Sequence, residues 1–285
     1  MDIHQIITDK IINLLERGTV KTGARWTGSN QAGIPTNAKS GERYHGINVL
    51  VLWAEQAEKS YASNLWLTYK QADEMGAQVR KGEKSVMCAY YKTVGKHDES
   101  KPDDEQDTYF MAKPFWLFNV AQIDGLPSGL VDGDTVVTDR TFSPHFEAEQ
   151  ILRNCGADIN YGFDSAFYSP GVDKICLPVR QRFTSEANFY ATALHELTHW
   201  TGNEARLNRE FGKRFGDSAY AFEELVAELG AAFTVGQLGM VDATIEAHAD
   251  YVQSWITVLK SDKRAIFTAA SHAAKASNFI FSIAQ

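Results

Sequence analysis

The stretch Ala193-Leu194-His195-Glu196-Leu197-Thr198-His199-Trp200 decides how this chain is interpreted. It contains the spacing His-Glu-x-x-His, in which the two histidines are four residues apart. On an α-helix, residues at this spacing lie on one face, so both imidazole rings can bind the same metal ion. The glutamate between them can then accept a proton from a metal-activated water. The pattern predicts a zinc site with His195 and His199 as ligands and Glu196 as the catalytic base.

The neighbouring residues predict a helix around this motif. Thr184 and Ser185 are typical N-capping residues, and Gly202 is a common C-terminal stop. Apolar residues recur at helical spacing and form a stripe of Phe189, Ala193, Leu197 and Trp200. We therefore predict a helix over residues 185–201, with the motif in its second half. The alternative is a helix that carries two surface or core histidines and no metal.

A third metal ligand is expected in the next predicted helical segment, because catalytic zinc usually takes three protein ligands. Glu224 and Glu228 lie four residues apart there, beside an apolar stripe. Carboxylates are costly to bury without a partner, and a cation supplies one. The Glu-x-x-Ala-Glu spacing resembles the Glu-x-x-Ala-Asp arrangement of several zincin families. It favours Glu224 as the ligand and Glu228 as the acceptor of a histidine N–H. The alternatives are an ordinary solvated acidic face or a different third ligand, namely Glu223, His248 or His272.

Composition is that of a soluble enzyme with one large or two ordinary domains. The chain has 285 residues, a net charge of −8 and three scattered cysteines. The cysteines form no Cys-x-x-Cys pair and no disulfide framework, which favours a reducing compartment. The chain has no signal-peptide pattern at its N-terminus and no apolar run long enough to span a membrane. We therefore expect a cytoplasmic protein without a membrane partner.

The order of predicted elements gives an α+β fold in two parts. We predict an N-terminal mixed α/β domain over residues 1–126, a linker over 127–138 and a C-terminal domain over 139–285. Residues 86–94 and 109–120 alternate and predict a hairpin, with an acidic loop between them. A second hairpin is predicted within residues 167–177, just before the motif helix. Its strands 167–168 and 174–177 are the candidate sheet edge for binding an extended peptide.

Charge is unevenly distributed along the chain. Residues 1–130 carry 15 Lys and Arg against 16 Asp and Glu, whereas residues 131–285 carry 13 against 20. Six of the first group of acids lie in the run 98–107, which leaves the rest of the N-terminal part locally basic. Cations interleaved with aromatic rings can follow the phosphates of a single strand and stack on its bases. The alternative is ordinary surface charge with core aromatics. The candidate DNA-binding residues are Lys21, Arg25, Arg43, Tyr44, Lys70, Arg80, Lys81 and Lys84.

Several separate motifs, in order, resemble the ArdC family of plasmid antirestriction proteins over nearly the whole chain. In the N-terminal part they are residues 35–37, 44–48, 66–72, 76–84 and 118–122. In the C-terminal part they are the His195–His199 motif, Gly216-Asp217 before Tyr220-Ala221, and residues 223–230.

The resemblance implies an N-terminal domain that binds single-stranded DNA and a C-terminal zincin-like metallopeptidase domain. It also implies protection of incoming plasmid DNA from host restriction during conjugation. The expected cofactor is Zn²⁺, although imidazole and carboxylate ligands also admit Mn²⁺ or another divalent ion. The expected partners are single-stranded DNA and a host restriction-system protein as peptide substrate, and Tyr220 is a candidate oxyanion donor. One alternative is a DNA-binding shield whose metal site is structural or vestigial. A second is a metallopeptidase whose basic half recognises an acidic protein.

Overall fold

A computed structural model describes residues 2–19, 33–96, 107–127, 130, 144–183, 185–211, 218–240 and 249–284. Several predictions fall outside these ranges. They concern Lys21, Arg25, His248, the acidic run at 98–106 and nearly all of the predicted linker at 127–138.

In the described residues, the N-terminal part combines three α-helices with two small sheets. The helices are α1 (Ile3–Thr19), α2 (Ile47–Lys59) and α3 (Tyr69–Glu74). The first sheet has four strands in the order β1-β2-β5-β4, where these are β1 (Thr36–Asn37), β2 (Leu65–Leu67), β4 (Val86–Lys96) and β5 (Asp107–Asn119). The second sheet pairs β3 (Gln78–Val79) with β6 (Ile123–Asp124). Both sheets are short except for the hairpin β4–β5.

The predicted hairpin is confirmed and is the longest strand pair in the described part of the chain. β4 and β5 are antiparallel, with Val86 opposite Leu117 and Tyr90 opposite Lys113. Alternate residues point to opposite faces of a strand. Val86, Cys88 and Leu117 are buried on one face, which anchors the base of the hairpin in the core.

The described portion of the C-terminal part contains five α-helices and a three-stranded sheet. The helices are α4 (Pro144–Asn154), α5 (Glu186–Thr201), α6 (Ser218–Leu238), α7 (Ala249–Ser261) and α8 (Ala265–Ile283). The strands are β7 (Asp158–Tyr161), β8 (Phe167–Ser169) and β9 (Lys174–Leu177), in the order β7-β9-β8.

The second hairpin forms as predicted, but half of the predicted sheet edge is wrong. β9 pairs with β8 on one side and with β7 on the other, so its backbone groups are already used within the sheet. Residues 174–177 are therefore central and cannot accept an added strand. β8 is an outer strand of this sheet, and residues 167–168 keep the predicted position.

The motif helix agrees with the sequence in extent and differs in how it ends. Ser185 is the N-cap, and its hydroxyl accepts a hydrogen bond from the backbone N–H of Asn188. Gly202 has φ −77°, so it does not end the helix in the left-handed conformation. A Cβ at this position would lie 2.7 Å from Cζ of Phe211 and 2.8 Å from Nη2 of Arg209. Glycine is needed there because the following loop crosses the helix end at close range.

Helix α6 lies between two hydrophobic cores and belongs to both. On one side Leu225, Leu229 and Phe233 join residues of α1, α2, α7 and α8. On the other side Ala231 and Val235 join residues of α4, α5 and β9. The apolar residues of α6 thus cover two sides of the helix, as expected for a helix in a buried position. The α+β fold is confirmed, and the N-terminal helices α1 and α2 share one core with α6, α7 and α8.

None of the described helices combines the length and the apolarity that a membrane span requires.

Candidate metal centre

Helices α5 and α6 bring His195, His199 and Glu224 together. One ligand atom of each residue lies within 4.8 Å of the other two. Nε2 of His195 is 3.6 Å from one carboxylate oxygen of Glu224, and Nε2 of His199 is 3.6 Å from the other. Ligand atoms about 2.0–2.1 Å from a tetrahedral Zn²⁺ are separated by about 3.3 Å. The three donor atoms would therefore have to approach one another by up to about 1.5 Å to hold a divalent ion.

The other nitrogen of each histidine faces a second carboxylate. Nδ1 of His195 is 3.2 Å from Glu228, and Nδ1 of His199 is 3.2 Å from Glu223. An N–H at Nδ1 that donates to a carboxylate fixes the ring and leaves Nε2 as a lone-pair donor. Glu228 thus lies where the sequence prediction puts it. Glu223, the alternative ligand, lies on the side of His199 away from Glu224.

Electrostatics in this cluster favour a cation. Burial lowers the pKa of both histidines, but the carboxylates around them outweigh it. Glu224 and Glu228 raise the pKa of His195 well above its usual range, and Glu223 and Glu224 raise that of His199 to about 9. Burial also raises the pKa of Glu224, yet the two rings hold it below the ordinary value. A metal ion would satisfy the same carboxylates that otherwise stabilise protonated rings.

Glu196, the predicted base, is 7% exposed and follows His195 on α5. Its charge contributes to the raised pKa of His195, so it belongs to the same electrostatic unit. His272, a weaker candidate ligand, is not a member of the cluster found among the described residues. Its ring packs against Phe222 instead, with centroids 6.3 Å apart.

Arg209 is the main residue of this site that the sequence does not reveal. Its guanidinium donates to both oxygens of Glu223, at 3.0 Å from Nε and 2.8 Å from Nη2. It lies in the loop after α5, where no periodic pattern marks it as buried. Its guanidinium partners are the carboxylate of Glu223 on α6 and two oxygens at the end of α5, and the contact to Glu223 is tertiary.

The described DNA-binding candidates lie at several places in the N-terminal part. Lys70, Lys81 and Lys84 are exposed. Arg80 is exposed too, but it is ion-paired with Glu83 and Asp124. Arg43 reaches Gln237 of α6 at 3.4 Å, and the half-buried Tyr44 accepts a hydrogen bond from Asn37. Trp66 is fully buried, so it belongs to the core and offers no stacking face.

Aromatic rings on the hairpin offer a stacking surface that the sequence identified only in part. Tyr90 is 46% exposed and lies 6.1 Å from the ring of Phe115, which stacks on Tyr44 at 6.5 Å. Lys113 is directly opposite Tyr90 on the same face. Phe115 and Lys113 were missed because the pairing register of two distant strands brings them beside the predicted residues.

A helix with His-Glu-x-x-His, facing a glutamate on the next helix, defines the zincin class of metal centre. The family model of the zincin-like metallopeptidase matches residues 146–272. The model of the N-terminal domain of anti-restriction factor ArdC matches residues 1–118. The chain belongs to the ArdC antirestriction family, as the sequence motifs predict.

Solved structures support this membership over the full length. The metal-free crystal structure of the antirestriction ArdC protein from the R388 plasmid is 40% identical, with a TM-score of 0.81. The Mn(II)-bound structure of that protein is 38% identical, with a TM-score of 0.79. Each comparison covers 100% of this chain and 98% of the R388 chain.

Curated relatives include both short and long proteins. The uncharacterized protein y4eC of Sinorhizobium fredii (strain NBRC 101917 / NGR234) is 34% identical over 95% of this chain and 89% of its own length. Two Escherichia coli DNA primases named TraC are 37% and 38% identical over 99% of this chain. The chain spans only 20% and 27% of the lengths of these primases.

Proposed function

We propose that this protein binds single-stranded DNA and cleaves peptide bonds at a divalent metal centre, and so protects incoming plasmid DNA from host restriction during conjugation. The observation that carries the peptidase part is the convergence of His195, His199 and Glu224. Membership of the antirestriction family supports the biological role. We assign DNA binding to residues 1–126, a linker to 127–138 and the peptidase to 139–285. We further propose that the protein acts in the cytoplasm of the recipient cell.

The chemistry follows from the side chains that surround the ligands. His195, His199 and Glu224 would hold Zn²⁺ or Mn²⁺, which would supply a Lewis acid for the scissile carbonyl and for a water molecule. Glu196 then accepts the proton of the attacking water and delivers it to the leaving amine. Tyr220 precedes Glu224 by one helical turn on α6, so both project from one face, and Tyr220 donates to the carbonyl oxygen.

A peptide substrate is proposed to add to the outer strand β8. β8 packs against the motif helix α5, and its outer side is unpaired within the described sheet. Phe167 on this strand is 42% exposed and contacts the exposed ring of Phe163, with centroids 5.8 Å apart. Backbone pairing would supply affinity, and these rings would favour an apolar side chain of the substrate.

Peptide cleavage is tested with candidate host restriction subunits, with and without single-stranded DNA. Glu196→Gln should abolish cleavage and keep the metal, because glutamine cannot accept the proton. Glu204→Gln, an exposed change in the loop after α5, is the matched control and should cleave normally. Elemental analysis should show that His199→Ala loses the metal. Cleavage by Glu196→Gln at the wild-type rate would refute the assignment.

DNA binding is tested by titrating labelled single strands at several salt concentrations. Lys81→Ala with Lys84→Ala removes two exposed cations and should lower the salt slope by about 1.4, since each single-strand phosphate contact contributes about 0.7. Lys275→Ala, an exposed change on α8, is the control. Equal affinity for duplex, or no affinity at low salt, would exclude this assignment and favour recognition of an acidic protein.

The second candidate is a shield that binds DNA without proteolysis. It is favoured by the position of the exposed candidates Lys81, Lys84 and Tyr90, which lie in the N-terminal part, whereas the proposed metal ligands lie on α5 and α6. Antirestriction in cells separates the two functions. If Glu196→Gln still protects a transferred plasmid and the Lys81, Lys84 double variant does not, the shield is the correct function.

A further inference from the structure

The buried ion pair between Arg209 and Glu223 connects a loop to one of the histidines. The side chains of Arg209 and Glu223 are 3% and 4% exposed, so neither charge is solvated. Oε1 of Glu223, which accepts a hydrogen bond from Nη2 of Arg209, also lies 3.2 Å from Nδ1 of His199. Arg209, Glu223 and His199 therefore form a continuous chain of hydrogen bonds that ends at a proposed metal ligand.

Arg209 is held in a fixed orientation by the motif helix as well. Nη2 donates to the carbonyl oxygen of Thr198 at 2.7 Å, and Nη1 donates to the hydroxyl of Thr201 at 2.9 Å. A cation at the C-terminal end of a helix interacts favourably with the exposed carbonyl groups there. The backbone N–H of Arg209 also donates to the carbonyl of Gly202 at 2.8 Å. The guanidinium therefore makes four hydrogen bonds, two to Glu223 on α6 and two to α5, and these fix its position.

The two histidines differ in how their carboxylate partners are supported. Glu228 contacts His195 through one oxygen, and its other oxygen, Oε1, is buried with no hydrogen-bond partner among the described residues. Glu223 has both oxygens bonded, because the planar guanidinium matches the carboxylate in a bidentate arrangement. The orientation of His199 is therefore determined by residues of the loop, whereas that of His195 depends on α6 alone.

We propose that Arg209 is a positioning residue of the metal centre, which orients His199 through Glu223 and so sets the affinity for the metal. This inference rests on the proposed metal site and is independent of peptide cleavage. A buried carboxylate that lost Arg209 would keep only its contact to the histidine and would be free to rotate. Removing such an outer partner typically weakens metal binding 10- to 100-fold.

The test is the dissociation constant for Mn²⁺, measured by chelator competition on the full chain. Arg209→Lys keeps the charge but cannot make the bidentate pair, and should bind Mn²⁺ about 10- to 100-fold more weakly. Arg206→Lys is the matched control on the same loop. Arg206 is also paired with an aspartate, Asp173, and its guanidinium stacks on Trp200 at 3.8 Å, but it does not contact the proposed ligands or their carboxylate partners in the described structure.

A double variant distinguishes a positioning role from a general loss of stability. Glu223→Gln should weaken Mn²⁺ binding by a similar factor, and adding Arg209→Lys to it should cause little further loss, because both act through His199. Multiplicative effects of the two changes, or equal weakening by Arg206→Lys and Arg209→Lys, would overturn the proposal. If Arg209→Lys does not fold, the isosteric variant Glu223→Gln alone tests the proposal. Wild-type affinity for Mn²⁺ in that variant would also overturn the proposal. Cleavage can fail for wild type while these affinities still follow the expected order.

Discussion

Gly230 lies at the closest approach of a glycine on α6 to α5, the two helices that carry the proposed metal ligands. It lies on α6, six residues after Glu224, and faces Thr198, which is located between the two histidines on α5. A Cβ at position 230 would lie 2.5 Å from Cγ2 of Thr198 and 3.0 Å from its hydroxyl oxygen. Gly230→Ala should therefore push α5 and α6 apart at the level of the metal centre.

The size of the effect follows from two opposing contributions. Replacing glycine by alanine inside a helix stabilises it by about 1 kcal/mol, while overpacking a core costs about 1–3 kcal/mol. The variant should thus be less stable by up to about 2 kcal/mol. Restoring an ordinary carbon–carbon contact of about 3.5 Å requires a shift of about 1 Å. Metal bonds tolerate only about 0.2 Å, so metal affinity should fall more than stability does.

Urea unfolding and Mn²⁺ titration measure these two quantities. Gly236→Ala on the same helix is the control, because its Cβ would meet Cζ2 of Trp53 at 3.0 Å, in the core shared with α2. Thr198→Ala removes both atoms that clash, so Gly230→Ala with Thr198→Ala should recover metal affinity. Additive effects of these two changes, or unchanged Mn²⁺ affinity in Gly230→Ala, would show that this contact does not set the helix spacing.

Three further outcomes are expected. Chelation should lower thermal stability, since metal at 100 times its dissociation constant adds about 2.7 kcal/mol, and Glu224→Gln should abolish this difference in a thermal scan. Hydrogen bonding to Arg206 lowers the pKa of Asp173. The pair therefore stabilises the fold at pH values above the ordinary aspartate pKa, and this stabilisation is lost as the pH falls through the lowered pKa. The free energy of unfolding measured with urea should therefore be lower for Asp173→Asn than for wild type at pH 7, and the two values should become equal in strong acid. All three cysteines are free and buried, and burial raises the pKa of Cys88 to about 12, so a thiol reagent should react only after unfolding.

The proposed ligands could be predicted from the sequence because the relations within each helix are local. His195 and His199 share a helix face by spacing alone, and Glu224 and Glu228 share another for the same reason. A helix fixes these relations before any tertiary contact forms. Arg209 has no such relation to His199, because the loop after α5 turns back through the left-handed Asn208 and along the helix end. Residues placed by a loop cannot be found from periodicity.

Burial of aromatic residues was the least predictable feature of the N-terminal part. Trp66 and Tyr90 occur in similar surroundings of the sequence, each close to cations and other rings. Trp66 lies on the inner strand β2 between β1 and β5, whereas Tyr90 lies beyond the buried base of the hairpin on the outer strand β4. The position of a strand within the sheet determines whether its aromatic side chains are exposed. That position depends on the order in which the strands pair, which cannot be predicted from this sequence.

The shared core has a consequence for how the two proposed activities can be separated. The sequence predicts one apolar face on α6 within residues 222–233. The alanines within this segment are buried as well, so α6 contacts both halves of the molecule. Cutting the chain near residue 126 would expose Leu50 and Trp53 on one fragment and Phe233 on the other. Burial of such side chains contributes about 1.5–3 kcal/mol each, which is large compared with the stability of an ordinary domain. Loss of activity in an isolated half would therefore report on folding, and only point variants of the full chain can assign DNA binding and peptide cleavage to separate sites.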